Sequence, residues 1–456
     1  MSAAGPAALP SRSLIQRAMR SSAITVGGFG ASMVLRLASN LILTRLLFPE
    51  AFGMMAIVSV FLMGLAMFSD VGVGPAIMGS RRGDDPDFLN TAWTIQIIRG
   101  GSLWLVALAL TYPMSLFYGE PDLNQYLPVA ALTLLINGFN PTRLETAHRH
   151  MQAGLVTMID IATQFVGIVV AVSLALMFQS VWALVVSGLI AALAQLWLLN
   201  LVLPGSANRL RWERPAAQEL IHFGKWIFLS TVCGFAIGQA DKVIIGKHLS
   251  LGDFGIYNIA YFLASFPLLL GGVVMRRLLI PIYRESPPLA NPANYARLRK
   301  MRFAATGALG IFVMVLGFSG VWLVDLLYDD RYLLAGGIVV LIAVTQMPAL
   351  IILTCDQAGL AAGESRSFFV LTLARAVLVV AGLWIGLQLG GLPGALIGQG
   401  LANVAAYPVL VWLVRRHGAW DPLHDAVFTA LAIGYGALAV WLNWDAVAAL
   451  ALISSG

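Results

Sequence analysis

The chain has 456 residues, 59% of them hydrophobic and 11% charged, with a mean hydropathy of +0.83. A soluble domain carries about a quarter of its residues as charges, so lipid rather than water must cover most of this surface. The net charge of +6 does not mark a nucleic-acid binder, because the basic residues fall in short connections between apolar stretches.

Residues 1–22 read as a cytoplasmic interfacial segment. Between Ser11 and Arg20 a helix gathers Leu14, Ile15, Ala18 and Met19 on one face and leaves Arg12, Arg17 and Arg20 elsewhere. A crossing needs about 20 apolar residues. Spans are expected at 23–47, 53–77, 91–117, 127–146, 154–178, 181–203, 223–249, 255–281, 303–328, 333–358, 368–389 and 393–414, with a thirteenth at 426–443. The stretch 445–456 is too short to cross unaided. The first span runs past signal-peptide length with no small-residue cleavage site after it, so it reads as a retained helix. An all-α polytopic membrane protein follows.

Lysine and arginine counts set the orientation. The side shared with the N-terminus holds 21 of them, the opposite side only Arg45, Lys247 and Arg331, and four lie inside spans. The N-terminus is therefore expected in the cytoplasm, in a bacterial inner membrane.

The chain carries no Walker A loop, nucleophile elbow or HExxH helix. Cys233 and Cys355 lie in apolar stretches and read as inert buried thiols, with no metal or redox motif and no cofactor implied. The connections expected outside, such as 117–125 and 328–331, are too short to house a catalytic domain. A transporter is expected, not an enzyme.

An internal repeat supports this. LTRLLFPEAFG (Leu43–Gly53) aligns with IGKHLSLGDFG (Ile245–Gly255) at an offset of 202. Extended back to Ala38 and Ala240, the alignment has five identities and sets Arg45 against Lys247. It maps span one onto span seven. Six spans per half is an even number, so the halves share orientation about an axis along the membrane normal.

The stretches ASNLILTRLLFPEAFG, FSDVGVGPAI (Phe68–Ile77) and GQADKVIIGKHLSLGDFGIYNIAY (Gly238–Tyr261) resemble Wzx-type polysaccharide flippases, over about residues 20 to 415. These belong to the multidrug/oligosaccharidyl-lipid/polysaccharide exporter superfamily. The resemblance implies two pseudo-symmetric six-helix lobes around a central cavity, at 23–203 and 223–414. A linker at 204–222 and an extra helix within 415–456 complete the chain. It further implies transport of undecaprenyl-pyrophosphate-linked oligosaccharide outward for exopolysaccharide or O-antigen synthesis, and alternating access by rocking of the two lobes is the expected mechanism. The partners implied are that lipid-linked oligosaccharide, membrane lipid, and polysaccharide polymerase and export proteins. Two rivals stand beside it: a cation-coupled multidrug exporter of the same superfamily, and a polysaccharide polymerase or ligase.

An ionised side chain inside a bilayer needs a cavity or a partner. Arg36 sits mid-span in a polar stripe of Ser32, Arg36, Asn40 and Thr44. A guanidinium fork matches phosphate oxygens, so Arg36 and Asn40 are candidate substrate contacts. The alternative is an ion pair between Arg36 and Asp70. Lys242, with Gln239, is the candidate from span seven, flanked by Gly234, Gly238 and Gly246. An Asp241–Lys242 pair is the competing account. Arg99 is a further candidate contact, although Arg99 and Arg375 can also snorkel to the interface. Asp70 and Asp241 are ion-coupling candidates. For each of them, as for Asp160 and Asp356, a counter-ion to a neighbouring Arg is the more common role of such an acid.

Overall fold

The structure, a computed structural model, describes residues 11–70, 72–356, 358 and 364–453. The side chains of 11–23, 223–227, 276–278, 280–281, 284–285, 365–367 and 452 lie outside that description. So do the expected interfacial face of Leu14, Ile15, Ala18 and Met19, the cations Arg12, Arg17 and Arg20, and Val71 of the second family stretch.

The described elements are all helical. In the first half they are α1 (Ser11–Leu46), α2 (Pro49–Phe68), α3 (Val73–Gly79), α4 (Pro86–Tyr118), α5 (Leu123–Ala130), α6 (Leu132–Gly138), α7 (Arg143–Arg149), α8 (Ala153–Phe178) and α9 (Trp182–Val202). The second half has α10 (Arg214–His248), α11 (Leu251–Glu285), α12 (Pro292–Leu327), α13 (Leu334–Thr345), α14 (Met347–Leu353) and α15 (Ser365–Arg416). The chain continues with α16 (Pro422–Leu442) and α17 (Trp444–Ala449).

Local chemistry sets the helix ends. Pro49, Pro86, Pro292 and Pro422 open their helices, where a missing N–H is harmless. The side chains of Asp85, Ser250, Asn291 and Asp421 accept from free N–H groups in the first turns of α4, α11, α12 and α16.

Two boundaries differ from expectation. Residues 11–46 form one helix, where a separate interfacial segment and a span were expected. No breaker lies between them, so the helix continues. The single span expected at 127–146 is instead a run of short helices, α5 to α7. Pro128 removes a donor within α5, and Pro141 follows the end of α6.

Among the described residues ten helices are long and apolar enough to cross a membrane, and the bent pair α13–α14 adds an eleventh. The 52 residues of α15 cover two expected spans. Its helical geometry breaks at Gly390 and Gly391, and Gly391 has φ of +58°, open to glycine without strain. The protein is a multi-pass membrane protein.

The repeat elements meet in space. Gly53 of α2 and Gly255 of α11 face each other so closely that a Cβ on either would strike the partner's backbone, at the carbonyls of Leu251 and Pro49. Small residues allow backbones this near in lipid, where packing rather than water exclusion drives association. Around the crossing, Ile57, Val58, Phe254, Tyr257, Ile338 and Leu350 join one apolar core drawn from both halves of the chain.

On the N-terminal side of the bundle, Arg82 binds Asp85 at 2.6 Å and Glu213 at 2.8 Å, tying the segment before α10 to the first half. The Arg82 guanidinium, aided by the Asp87 N–H, holds the Asp85 carboxyl below the usual carboxylate range.

Candidate functional site

α1, α10 and α11 bring the cations of the first and seventh expected spans together. The Arg36 guanidinium on α1 lies over the ring of Phe262, 5.6 Å from its centroid. The Lys242 ammonium on α10 lies over the ring of Tyr261 at 4.8 Å. Phe262 and Tyr261 are neighbours on α11, so one helix presents adjacent rings to cations from opposite halves. A cation is drawn to the face of an aromatic ring, which holds each charge without neutralising it. The two cations are close enough to repel one another.

Among the described residues neither cation forms an ion pair with a carboxylate. Asp241 adjoins Lys242 in sequence and lies within Coulombic reach of it, but the two form no salt bridge, since successive helical residues sit about 100° apart. It is buried and accepts a hydrogen bond of 2.6 Å from the Tyr257 hydroxyl, while its other oxygen, Oδ1, has no partner. Lys242 donates to Gln239 Oε1 at 3.1 Å, which turns that amide into the same site. One turn away, a Cβ on Gly238 would meet nothing within 4 Å, so open space lies beside the ammonium. Gly246 is a packing glycine instead, against the ring of Phe254.

The polar stripe on α1 does not face one way. Ser32 donates to Gln164 on α8 at 2.5 Å, whereas Thr44 is buried and bonds the Asn40 carbonyl of its own helix. Residues four apart advance about 40° around a helix, so Ser32 and Thr44 stand about 120° apart. Arg36 and Asn40 occupy the middle of that drift.

Arg99 is held elsewhere. Its guanidinium donates to the Ala66 carbonyl at 2.6 Å and to Ser69 Oγ at 3.0 Å, at the C-terminal end of α2. Free carbonyls there favour a cation. Asp70 accepts from the Gly72 N–H at 2.8 Å and lies within Coulombic reach of Arg99, so it caps the α2–α3 turn and does not pair with Arg36. Arg375 does not snorkel: it lies 3.9 Å from Asp356 and donates to Asn403.

The sequence reading missed a buried network in the second half. Arg302 on α12, counted only among the cations on the side of the N-terminus just before the span expected at 303–328, is 0% exposed. It binds Asp425 of α16 at 2.8 Å and donates to the Ala419 carbonyl and to Thr354. His424 contacts Asp425 at 2.8 Å and Thr306 at 2.9 Å, and the Tyr407 hydroxyl donates to Asp425 at 2.8 Å. An opposite charge across more than 120 residues was the available signal, and sequence alone does not pair such residues. Asp425 and Tyr407 also border an apolar cavity of about 1040 Å3 between α14, α15 and α16.

Comparison with known proteins places this arrangement. Residues 42–335 match the family model described as polysaccharide biosynthesis protein. The chain belongs to that family. The succinoglycan biosynthesis transport protein ExoT of Rhizobium meliloti is 24% identical over 226 residues, covering 50% of this chain and 45% of ExoT. An uncharacterized membrane protein in the cps region of Klebsiella pneumoniae is 20% identical over 252 residues, 55% of this chain and 52% of that one. The chain thus spans about half the length of the curated relatives it matches.

Solved structures share the fold of this family member across nearly its whole length. The lipid II flippase MurJ, in an inward closed conformation, aligns with a TM-score of 0.71 at 10% identity, covering 93% of this chain and 97% of MurJ. An inward-facing multidrug resistance MATE family transporter of the MOP superfamily gives 0.61 at 15% identity, covering 85% and 95%. A MOP superfamily transporter from Pyrococcus furiosus, titled for the reverse polarity of its binding pocket, gives 0.60 at 18% identity, covering 88% and 96%.

Proposed function

We propose that this protein is a flippase that moves undecaprenyl-pyrophosphate-linked oligosaccharide from the cytoplasmic to the outer leaflet, with its N-terminus in the cytoplasm. The observation that carries this reading is the meeting of Arg36 and Lys242 over adjacent rings without an ion-paired carboxylate. Two exposed-to-ligand cations from different halves suit a dianionic pyrophosphate. A site for cationic drugs needs the reverse polarity.

Residues 23–203 and 223–414 act as the two lobes and rock about the site. Arg36, Lys242, Gln239 and Asn40 receive the headgroup, and the polyprenyl tail stays in lipid. Arg99, spent on the end of α2, positions that helix. Asp241 is the candidate for a coupling proton, because one of its buried oxygens has no donor.

The test is binding and leaflet transfer. In nanodiscs, undecaprenyl pyrophosphate should compete with lipid-linked oligosaccharide, and Arg36→Ala should weaken binding at least tenfold. In cells, deletion should leave lipid-linked glycan on the cytoplasmic leaflet. Equal binding by Arg36→Ala and Lys242→Gln together would remove the proposal.

A further inference from the structure

The far face of the bundle, opposite the N-terminus, carries a contact between the halves that the site above does not use. Among the connections on that face, the short helical turn Asp330–Tyr332 joins α12 to α13. Arg331 reaches from this turn across to the first half of the chain. It donates to the Thr44 carbonyl at 2.8 Å and to the Leu47 carbonyl at 3.3 Å. These are carbonyls at the C-terminal end of α1, where the helix leaves acceptors without internal donors.

Asp329 fixes the guanidinium in this pose. Both its carboxylate oxygens accept from Arg331, at 2.5 Å and 3.1 Å. The next residue, Tyr332, is fully buried, with its ring edge-on to Phe52 of α2 at 6.5 Å. The Gly53–Gly255 crossing lies one residue beyond Phe52. Charge, ring and glycine contacts between the halves therefore gather at one place on this face.

We infer that Arg331 is a latch that holds the far face shut by gripping the end of α1. α1 is also the helix that carries Arg36, about 16 Å away at 1.5 Å of rise per residue. The latch thus grips the same rigid element that would meet the ligand. Its chemistry suits release. Arg331 and Asp329 are each more than a third exposed, and an exposed pair contributes little to stability. A permanent structural tie would be buried, as Arg302 and Asp425 are. The equivalent turn in the first half, Tyr118–Gly119–Glu120–Pro121, has no cation of its own.

The inference rests on the flippase reading only for its purpose, and the experiment separates the two. Spin labels at Met177 and Leu389, exposed at the far ends of α8 and of the first span of α15, report the separation of the halves. They are placed in a Cys233→Ala/Cys355→Ala background, in nanodiscs without ligand. The parent protein should give one dominant distance. Arg331→Ala should add a longer distance as a second population of at least a quarter of the molecules. Asp329→Asn, which keeps the carbonyl bonds but loosens the guanidinium, should add a smaller one, and it carries the test if Arg331→Ala does not fold. An unchanged distribution in the folded variants overturns the latch. A longer distance in Arg331→Ala together with undiminished headgroup binding by Arg36→Ala keeps the latch and removes the flippase reading.

Discussion

The cations of this protein divide by what answers their charge. Arg302 is buried and paired with Asp425 at 2.8 Å. Removing one partner of a buried pair leaves the other charge without compensation, which costs about 3–5 kcal/mol. Arg302→Met should therefore lower thermal stability in detergent by that amount, while Arg302→Met/Asp425→Leu should recover much of it. A double variant no better than the single would mean the network, not the pair, holds α16. Arg36 behaves differently, because ring faces hold it and no carboxylate pairs with it among the described residues. Arg36→Ala should leave stability within about 1 kcal/mol of the parent, the range of a ring contact, yet lose the ligand. The same contrast explains what the sequence made legible. Arg36 and Lys242 stand out because they interrupt apolar runs. Arg302 sits at the edge of such a run among other cations, and nothing local separates it from them.

Helices were legible wherever apolar runs were long and unbroken, and their ends wherever proline or a capping side chain stood. The fourth span was not, because its hydropathy is continuous while Pro128 and Pro141 interrupt its hydrogen bonding. The repeat gave more than its five identities suggested, since its two glycines prove to be the crossing point of α2 and α11. Gly53→Val forces a branched side chain against the Leu251 carbonyl and should destabilise the fold by about 1–3 kcal/mol, as overpacking does. Thermal unfolding beside Gly27→Val checks this, because a Cβ at Gly27 meets nothing within 4 Å. The Arg82–Asp85–Glu213 tie predicts a pH effect at the foot of α10. Its guanidinium depresses the Asp85 carboxyl below its unfolded value, so this stabilisation is present above about pH 4 and disappears as pH falls through the lower folded value. Protease cleavage in the segment 204–213 should rise below pH 4 in the parent. In Arg82→Ala it should be raised at neutral pH and nearly flat.

At the scale of the whole molecule, the question is which charges cross. A pyrophosphate diester carries about two negative charges, and each gains roughly 2.3 kcal/mol per 100 mV when it moves out of a negative interior. If the headgroup moves while Arg36 and Lys242 stay near the midplane, as rocking about a fixed site requires, two charges cross and 100 mV favours export by about 4.6 kcal/mol. If the two cations travel with the headgroup, the moving charges cancel and the potential contributes almost nothing. Proteoliposomes holding lipid-linked oligosaccharide distinguish these cases. With an interior-negative potassium diffusion potential, outward transfer should exceed the unpolarised level by at least tenfold and fall back when the potential is collapsed. A response to a proton gradient alone would move the driving force to a titrating carboxylate such as Asp241, whose unpartnered oxygen is already buried beside the cations. Asp241→Asn would then abolish transfer but not headgroup binding, and that split separates an ion-driven cycle from one driven by the charge of the cargo.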